Sequence, residues 1–457
     1  MALLTGACRV PKDVTAPDLQ LPAAYRNAGT DTSSIATLPW KSFFSSPVLQ
    51  GLIDSAIIRN SDLQIAMQNL EAANLVLNQS KLGNLPSVNV GIAATTTRPS
   101  DNSMNGLSLN QFLGQKHIED YTVAAGMSWE ADIWGKIRSR KASALASYLQ
   151  TSEARKTVQT QVIASISQGY YNLLSLDEQL RIARRNLKLN DSTLQIVRLQ
   201  YQAGETTSLA EQQAEAQCLM AARLIPQFEQ EIAIQENALS VLAGRYPGKI
   251  LRNQGLAKIA VPASFAAGIP SSLLSLRPDI RSAELDIDRA NAEVGISKAQ
   301  MYPSLAITAE GGVNAFKASN WFHIPASLFG TAAAGLTQPI FQRKQLKTQF
   351  KVAKIEREKS VIRFRQQVLV GVREVSDALI RLDKLSEQQQ FVDQRARTMR
   401  VATRNATMLF KNGMASYLEV ITAQSNVLQS ELELAAVKRA QLYAMVDLYR
   451  SIGGGWH

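Results

Sequence analysis

Ser80-Lys81-Leu82-Gly83-Asn84-Leu85-Pro86-Ser87-Val88 and Ser297-Lys298-Ala299-Gln300-Met301-Tyr302-Pro303-Ser304-Leu305 follow one pattern: a Ser-Lys pair, then Pro-Ser at the same spacing. The match extends upstream without a gap. Glu71-Ala72-Ala73-Asn74 lines up with Asp288-Arg289-Ala290-Asn291, and Asp62-Leu63 with Asp279-Ile280. A second set lies downstream. Tyr201-Gln202-Ala203-Gly204 sits over Phe410-Lys411-Asn412-Gly413, Leu209 over Leu418, and Ala214 over Ala423. The offset is about 217 residues at the two prolines and about 209 at the two glycines, so the first copy has the longer loop. A period this long marks a duplicated half-domain and not a solenoid array. Proline and glycine punctuation in one order argues against chance similarity between helices.

Each Pro-Ser opens a run that alternates with period two, the mark of a half-buried strand. In the first, Val88, Val90, Ile92 and Ala94 oppose Ser87, Asn89, Gly91 and Ala93. In the second, Val123, Ala125, Met127 and Trp129 oppose Thr122, Ala124, Gly126 and Ser128. Leu305, Ile307, Ala309 and Val313 alternate with Ala306, Thr308 and Glu310; Ala332, Ala334 and Leu336 alternate with Thr331, Ala333, Gly335 and Thr337. Strands are expected over 87–97, 120–129, 304–313 and 331–340, each pair joined by a polar loop (98–120 and 314–330). About 9 to 11 residues is the length a tilted membrane strand needs.

After each strand pair comes a long helical run without proline, from about Gly135 to Gln202 and from about Gln342 to Asn412. At 1.5 Å per residue each reaches roughly 100 Å, so each needs lateral support. Leu180, Ala183, Leu187, Asn190, Leu194, Val197 and Tyr201 step by three and four, and Ile182, Leu189 and Ile196 form a neighbouring stripe. Met399, Ala402, Ala406 and Leu409 repeat this in the second copy. A helix returns after each glycine turn, as in Leu418, Ile421, Ser425, Leu428, Leu432 and Ala435. Two seams on one helix imply partners on both sides. On the helices alone, a long antiparallel coiled coil without a pore is equally acceptable.

Four strands cannot close in lipid, where every backbone donor and acceptor must be paired. Bacterial barrels begin at eight strands, and small barrels fill their own interior. Two chains give eight strands and a plugged core; three give twelve and room for water. The small polar faces here favour the wet interior, hence three chains.

Composition narrows the function. The 457 residues are 6% aromatic, with a formal charge of +11. There is no dense or aromatic-interleaved basic patch, which argues against nucleic acid. No run of 18 apolar residues suits a transmembrane helix, but barrel strands give a weaker signal. Two cysteines, Cys8 and Cys218, are too few for a disulfide framework. Cys218 falls in a helix and reads as a small packed residue. Leu3-Leu4-Thr5-Gly6-Ala7-Cys8 resembles a bacterial lipoprotein processing site, with most of the signal peptide missing. An ordinary N-terminal cysteine is the alternative. Trp40, Phe43, Phe44 and Pro47 are expected to dock an extended tail onto the first helices, and Gly453-Gly454-Gly455 reads as a frayed terminus. No catalytic residues, cofactor or metal site are expected. His117, His323 and His457 lack metal-ligand spacing, and no phosphate-binding glycine motif occurs.

The whole chain resembles the outer membrane factor family, the TolC-like export channels, and within it the NodT-type lipoprotein branch. The resemblance rests on Cys8, on Trp40 to Ile53, on the Pro-Ser pairs at 86 and 303, and on the two glycine turns followed by Leu209 and Leu418. It implies a mainly α fold with a transmembrane β-barrel: a trimeric, twelve-stranded barrel, four strands per chain, joined to a long α-helical periplasmic tunnel. The implied organisation is a lipid-anchored tail at 1–46, a first repeat at 47–243 turning at Gly204, an equatorial linker at 244–270, and a second repeat at 271–457 turning at Gly413.

The implied function is the outer membrane channel of a tripartite efflux system, a passive duct for drugs or other small molecules. Type I protein secretion and a non-pore scaffold are the alternatives. Implied partners are a homotrimer, the lipid bilayer, a periplasmic adaptor (membrane fusion) protein and an inner-membrane pump of the resistance-nodulation-division type. Cys8 would carry the lipid. Tyr201, Gly204, Leu209, Phe410 and Gly413 would meet the adaptor at the tips. Leu418, Glu419, Thr422 and Ser425 would form the periplasmic gate. Family members often place Asp in the stretch matching Thr422 and a basic residue near Ser425; this chain has neither. An apolar plug at Leu418 and an acidic ring at Glu419 remain, with a plain coiled-coil seam as the other reading of Leu418.

Overall fold

A computed structural model describes residues 13–27, 33–262 and 265–456, so Cys8 lies outside the described residues. The elements run α1 (Trp40–Phe43), α2 (Pro47–Arg59), α3 (Ser61–Lys81), β1 (Ser87–Thr97), α4 (Met104–Leu113), β2 (Ile118–Glu130), α5 (Lys136–Gln202), α6 (Ser208–Leu242), α7 (Leu273–Leu276), α8 (Pro278–Ala299), β3 (Ser304–Ala315), β4 (Leu328–Thr337), α9 (Gln345–Lys411) and α10 (Tyr417–Ser451). The two halves mirror each other closely: α5 and α9 are both 67 residues long, α6 and α10 both 35. No helix among the described residues is long and apolar enough to cross a membrane.

The chain divides into two compact units. One comprises Met1–Ala16 (described from Asp13), Glu71–Leu149 and Glu284–Ile362; the other comprises Pro17–Leu70, Gln150–Ala283 and Arg363–His457. Each unit therefore draws on both sequence repeats. The repeats are not independent domains, because their strands share one sheet.

That sheet, in the first unit, has the order β1-β2-β3-β4, antiparallel throughout. Residues paired across an antiparallel ladder lie on the same face. The register sets Val90 against Ala125, Ala125 against Gly311, and Gly311 against Gly330, with Ile92, Val123, Val313 and Leu328 one step along. Leu305, Ile307, Ala309, Ala332, Ala334 and Leu336 share that face. One side of the sheet is thus an apolar band, bounded by Tyr121 and Trp129. The other carries Asn89, Gly126, Glu310 and Thr331 in one row, with Thr122, Ser128 and Thr308 beside it. An apolar band between aromatic girdles, backed by a polar face, is the pattern of a strand between lipid and water. The apolar side is open: Ile92 is 74% exposed.

β1 and β4 are both edges, and in an antiparallel meander they run in opposite senses. β4 of one copy can therefore pair with β1 of the next. Between β2 and β3 the fit is tight. A Cβ at Gly312 would lie 2.0 Å from the carbonyl oxygen of Val123, so only glycine serves there.

Several expectations change. The loop at 98–120 contains α4, whose N-terminus is capped by Ser103 accepting from Gly106 N–H. β2 begins at Ile118, and β4 ends at Thr337, because Pro339 lacks the N–H that a longer ladder requires. In the second unit, the tail meets α2, where Gln50 donates to the Phe44 carbonyl at 2.7 Å, and reaches α10 and α5 as well: Phe43 stacks on Tyr449 at 4.1 Å, and the Ser46 hydroxyl meets that of Tyr170 at 3.3 Å. The C-terminal glycines are buried, not frayed. Gly453 has φ +96°, and a Cβ at Gly454 would strike the Tyr449 ring at 2.4 Å.

Candidate functional site

The two glycine turns lie in the second unit. Gly204 and Gly413 adopt left-handed backbone (φ +78° and +71°). After each, an N–H reaches back across the turn: Glu205 to the Gln200 carbonyl at 2.8 Å and Met414 to the Leu409 carbonyl at 2.9 Å. This is the closure that satisfies the last carbonyls of a helix. Thr207 then caps α6, accepting from Ala210 N–H at 3.4 Å. At α10 the N–H and hydroxyl of Ser416 both donate to one Glu419 oxygen, at 2.7 and 3.2 Å. Glu419 therefore supplies the acidic half of a capping box.

The two turns share a small core of Leu194, Val197, Ala210, Ala214, Phe410 and Val420. Cys218 packs against it, and burial pushes its thiol pKa up, helped by the Asp191 carboxylate. Phe410 is only 5% exposed. Its ring holds the tip together and presents little surface, unlike its counterpart Tyr201. The other expected contact residues, Tyr201, Gly204, Leu209 and Gly413, are exposed.

Helix α10 has two distinct stripes. Val420, Gln424, Val427, Glu431 and Ala435 are buried within the chain. Leu418, Glu419 and Thr422 are exposed, and Ser425 is half-buried. Leu418, Thr422 and Ser425, spaced by four and three, occupy one face. Three of the four expected gate residues therefore share one face, exposed at Leu418 and Thr422 and half-buried at Ser425, with Glu419 beside it at the first turn. Along the Leu418-Ile421-Ser425-Leu428 seam, Leu418 is exposed, Ser425 and Leu428 are half-buried, and Ile421 packs against the tip core. On α9, likewise, Ala396, Thr403 and Phe410 are buried while Leu409 is exposed.

The internal stripe is unexpectedly polar. Tyr417 donates to Gln213 at 2.6 Å. Gln424 donates to the Leu189 carbonyl at 3.2 Å and the Thr193 hydroxyl at 2.9 Å, while the Asn186 amide donates to the Gln424 carbonyl at 3.1 Å. Glu431, its side chain 3% exposed, accepts from Arg400 Nε at 2.6 Å on one oxygen and from Arg185 on the other. Tyr417, Gln424 and Glu431 are seven apart, so polar groups occupy one heptad position and join α10 to the α5–α6 hairpin. The heptad spacing was visible in the sequence, but the leucine-rich stripe beside it was the stronger signal. Polar residues in a seam fix register at some expense of stability.

No group of His, Cys, Asp and Glu among the described residues could hold a metal ion. What the geometry offers is an exposed face at a helical tip and a strand face fit for lipid.

The known proteins agree with that combination. The outer membrane efflux protein family model matches residues 52–245 and 269–454, one stretch in each copy of the duplicated unit. The antibiotic efflux pump outer membrane protein ArpC of Pseudomonas putida is 27% identical, across 100% of this chain and 94% of its own. The probable outer membrane lipoprotein SilC of Salmonella typhimurium is 26% identical, over 99% and 97%. The open-state MtrE outer membrane channel of Neisseria gonorrhoeae superposes with a TM-score of 0.86 at 24% identity, over 98% of each chain, and shows the same fold. With both copies of the repeat matched and the strand face suited to lipid, the chain belongs to the outer membrane efflux protein family, as a channel of the outer membrane.

Proposed function

We propose that three copies of this chain close one twelve-stranded barrel and form the exit duct of a tripartite pump for antibiotics or other small molecules. The observation that carries this is the sheet register. It separates an apolar, aromatic-bounded face from a polar one and leaves two antiparallel edges that only further copies can satisfy. The name of ArpC, an antibiotic efflux pump component, supports the substrate class. An inner-membrane pump of the resistance-nodulation-division type supplies the energy and a periplasmic adaptor joins the two; the duct performs no bond chemistry. Tyr201, Gly204, Leu209 and Gly413 meet the adaptor, with Phe410 bracing the turn from inside. Leu418, Glu419, Thr422 and Ser425 face their symmetry mates and narrow the duct. Cys8 carries a lipid, as the name of SilC suggests for that relative; intact mass of the mature protein tests this directly. Three Leu418 side chains make a dry constriction, and three Glu419 carboxylates a ring that draws cations.

Purified protein in a planar bilayer should give discrete conductance steps with cation preference. Protein with intact strands that inserts without conductance would refute the duct.

A further inference from the structure

A groove of about 450 Å³ opens among α5, α9 and α10, close to the second turn. Its apolar lining includes Leu189, Met408 and Val427. Arg185, Arg400, Arg404 and Lys411 stand around it against a single carboxylate, Glu431. That carboxylate is fully engaged, one oxygen by Arg185 and the other by Arg400. Arg404 and Lys411 pair with no carboxylate among the described residues, so the groove holds an unbalanced positive charge. Arg404, Met408 and Lys411 are spaced by four and three on α9, which puts the two cations and the apolar side chain between them on one face.

An exposed basic helix face is ordinarily just solvated. Here the cations border a concavity with an apolar floor, of a size within the small-ligand range of about 300–1,000 Å³. An inorganic anion would satisfy the rim and leave the floor wet. A neutral apolar molecule would leave the cations without a counter-charge. We infer that this groove is a binding site for an amphiphilic organic anion, its rigid apolar body on Leu189, Met408 and Val427 and its acidic groups on Arg404 and Lys411. Because α5 belongs to one helical hairpin and α9 and α10 to the other, an occupant spans both. The site stands on its own geometry and does not depend on the substrate class proposed above.

The test is calorimetric titration of the detergent-solubilised full chain with naphthalene-1,5-disulfonate. Saturable binding at one site per chain is expected, weakening severalfold as salt is raised and the rim charges are screened. The double variant Arg404→Ala/Lys411→Ala should lose affinity by about tenfold or more with an unchanged melting temperature, since both side chains are exposed. Met408→Asp, which keeps both cations but places a charge on the floor, should weaken binding as well. Uncharged naphthalene should not saturate. Equal affinity in wild type and the double variant, or no saturable heat, overturns the site. Binding of an acidic helical peptide with no response to the disulfonate overturns the small-molecule reading.

Discussion

The carboxylate of Glu419 lies 2.7 Å from the backbone nitrogen of Ser416 and closes the first turn of α10. The proposed acidic ring is therefore also a helix cap, and two substitutions separate the roles. Glutamine serves in a capping box as glutamate does. Glu419→Gln should keep the tip's stability and lose cation preference. Glu419→Ala should lose both, with the cap worth about 0.5–2 kcal/mol. Amide hydrogen exchange at residues 414–419 reads the cap, and reversal potential reads the charge. Equal exchange in both variants would contradict the capping role.

Leu418 and Leu209 occupy matching positions after the two turns and are similarly exposed, 55% and 57%. Neither truncation should move folding stability by more than about 0.5 kcal/mol. Leu418→Ala should raise single-channel conductance or antibiotic leakage. Leu209→Ala should leave conductance alone and weaken adaptor binding. Equal conductance changes in the two would show that the gate is not at α10.

Arg185 and Arg400 reach the same buried carboxylate from different helices. Either arginine can be lost while the other still compensates Glu431, at about 1 kcal/mol each. Removing both leaves a buried, unpaired charge, for which a cost of about 3–5 kcal/mol is typical. The double variant should therefore be less stable than the sum of the singles, and Glu431→Leu should largely restore it. Denaturant melts of the wild type, both singles and the double variant measure the coupling, and the double variant carrying Glu431→Leu measures the rescue. Additive losses would mean that Glu431 is solvated.

The buried Arg277 side chain donates to Asp279 at 2.5 and 2.9 Å and to Glu374 at 2.8 Å. Burial pushes the Asp279 carboxyl up, but the hydrogen bonds and charge of Arg277, with the Gln367 amide and Ile280 N–H, outweigh it and hold the pKa below its ordinary value of 3.8. A depressed carboxylate stabilises the fold at all pH values above its unfolded pKa and loses that contribution as pH falls through the folded one. The melting-temperature gap between wild type and Asp279→Asn should be constant from neutral pH down to about 4 and shrink below it. A gap that widens in acid would contradict the ion pair.

Strand faces, both turns and the duplicated plan were legible because period-two alternation and glycine punctuation are local signals. The packing of α9 and α10 was not. Leu418 is exposed and Leu428 and Leu432 are only half-buried, while Gln424 and Glu431 are buried along with Val420 and Val427. A single sequence does not say which of two seams is satisfied within the chain and which is left for other copies. For the same reason the sequence reads Phe410 as a contact residue: aromatic residues at a turn suit contact and core equally. In sequence the C-terminal glycines read as fray, but the left-handed backbone of Gly453 and Gly455 and the close approach of Gly453 to Leu276 and of Gly454 to Tyr449 are tertiary facts.

The central claim is that β1 and β4, unpaired within one chain, are joined only by other copies. Native mass spectrometry of protein extracted from the outer membrane tests it most directly. With a chain of 50.0 kDa, the account predicts a single species containing three chains, roughly 150 kDa before any lipid is counted. A stable monomer or dimer that retains its strand signature in circular dichroism would contradict it.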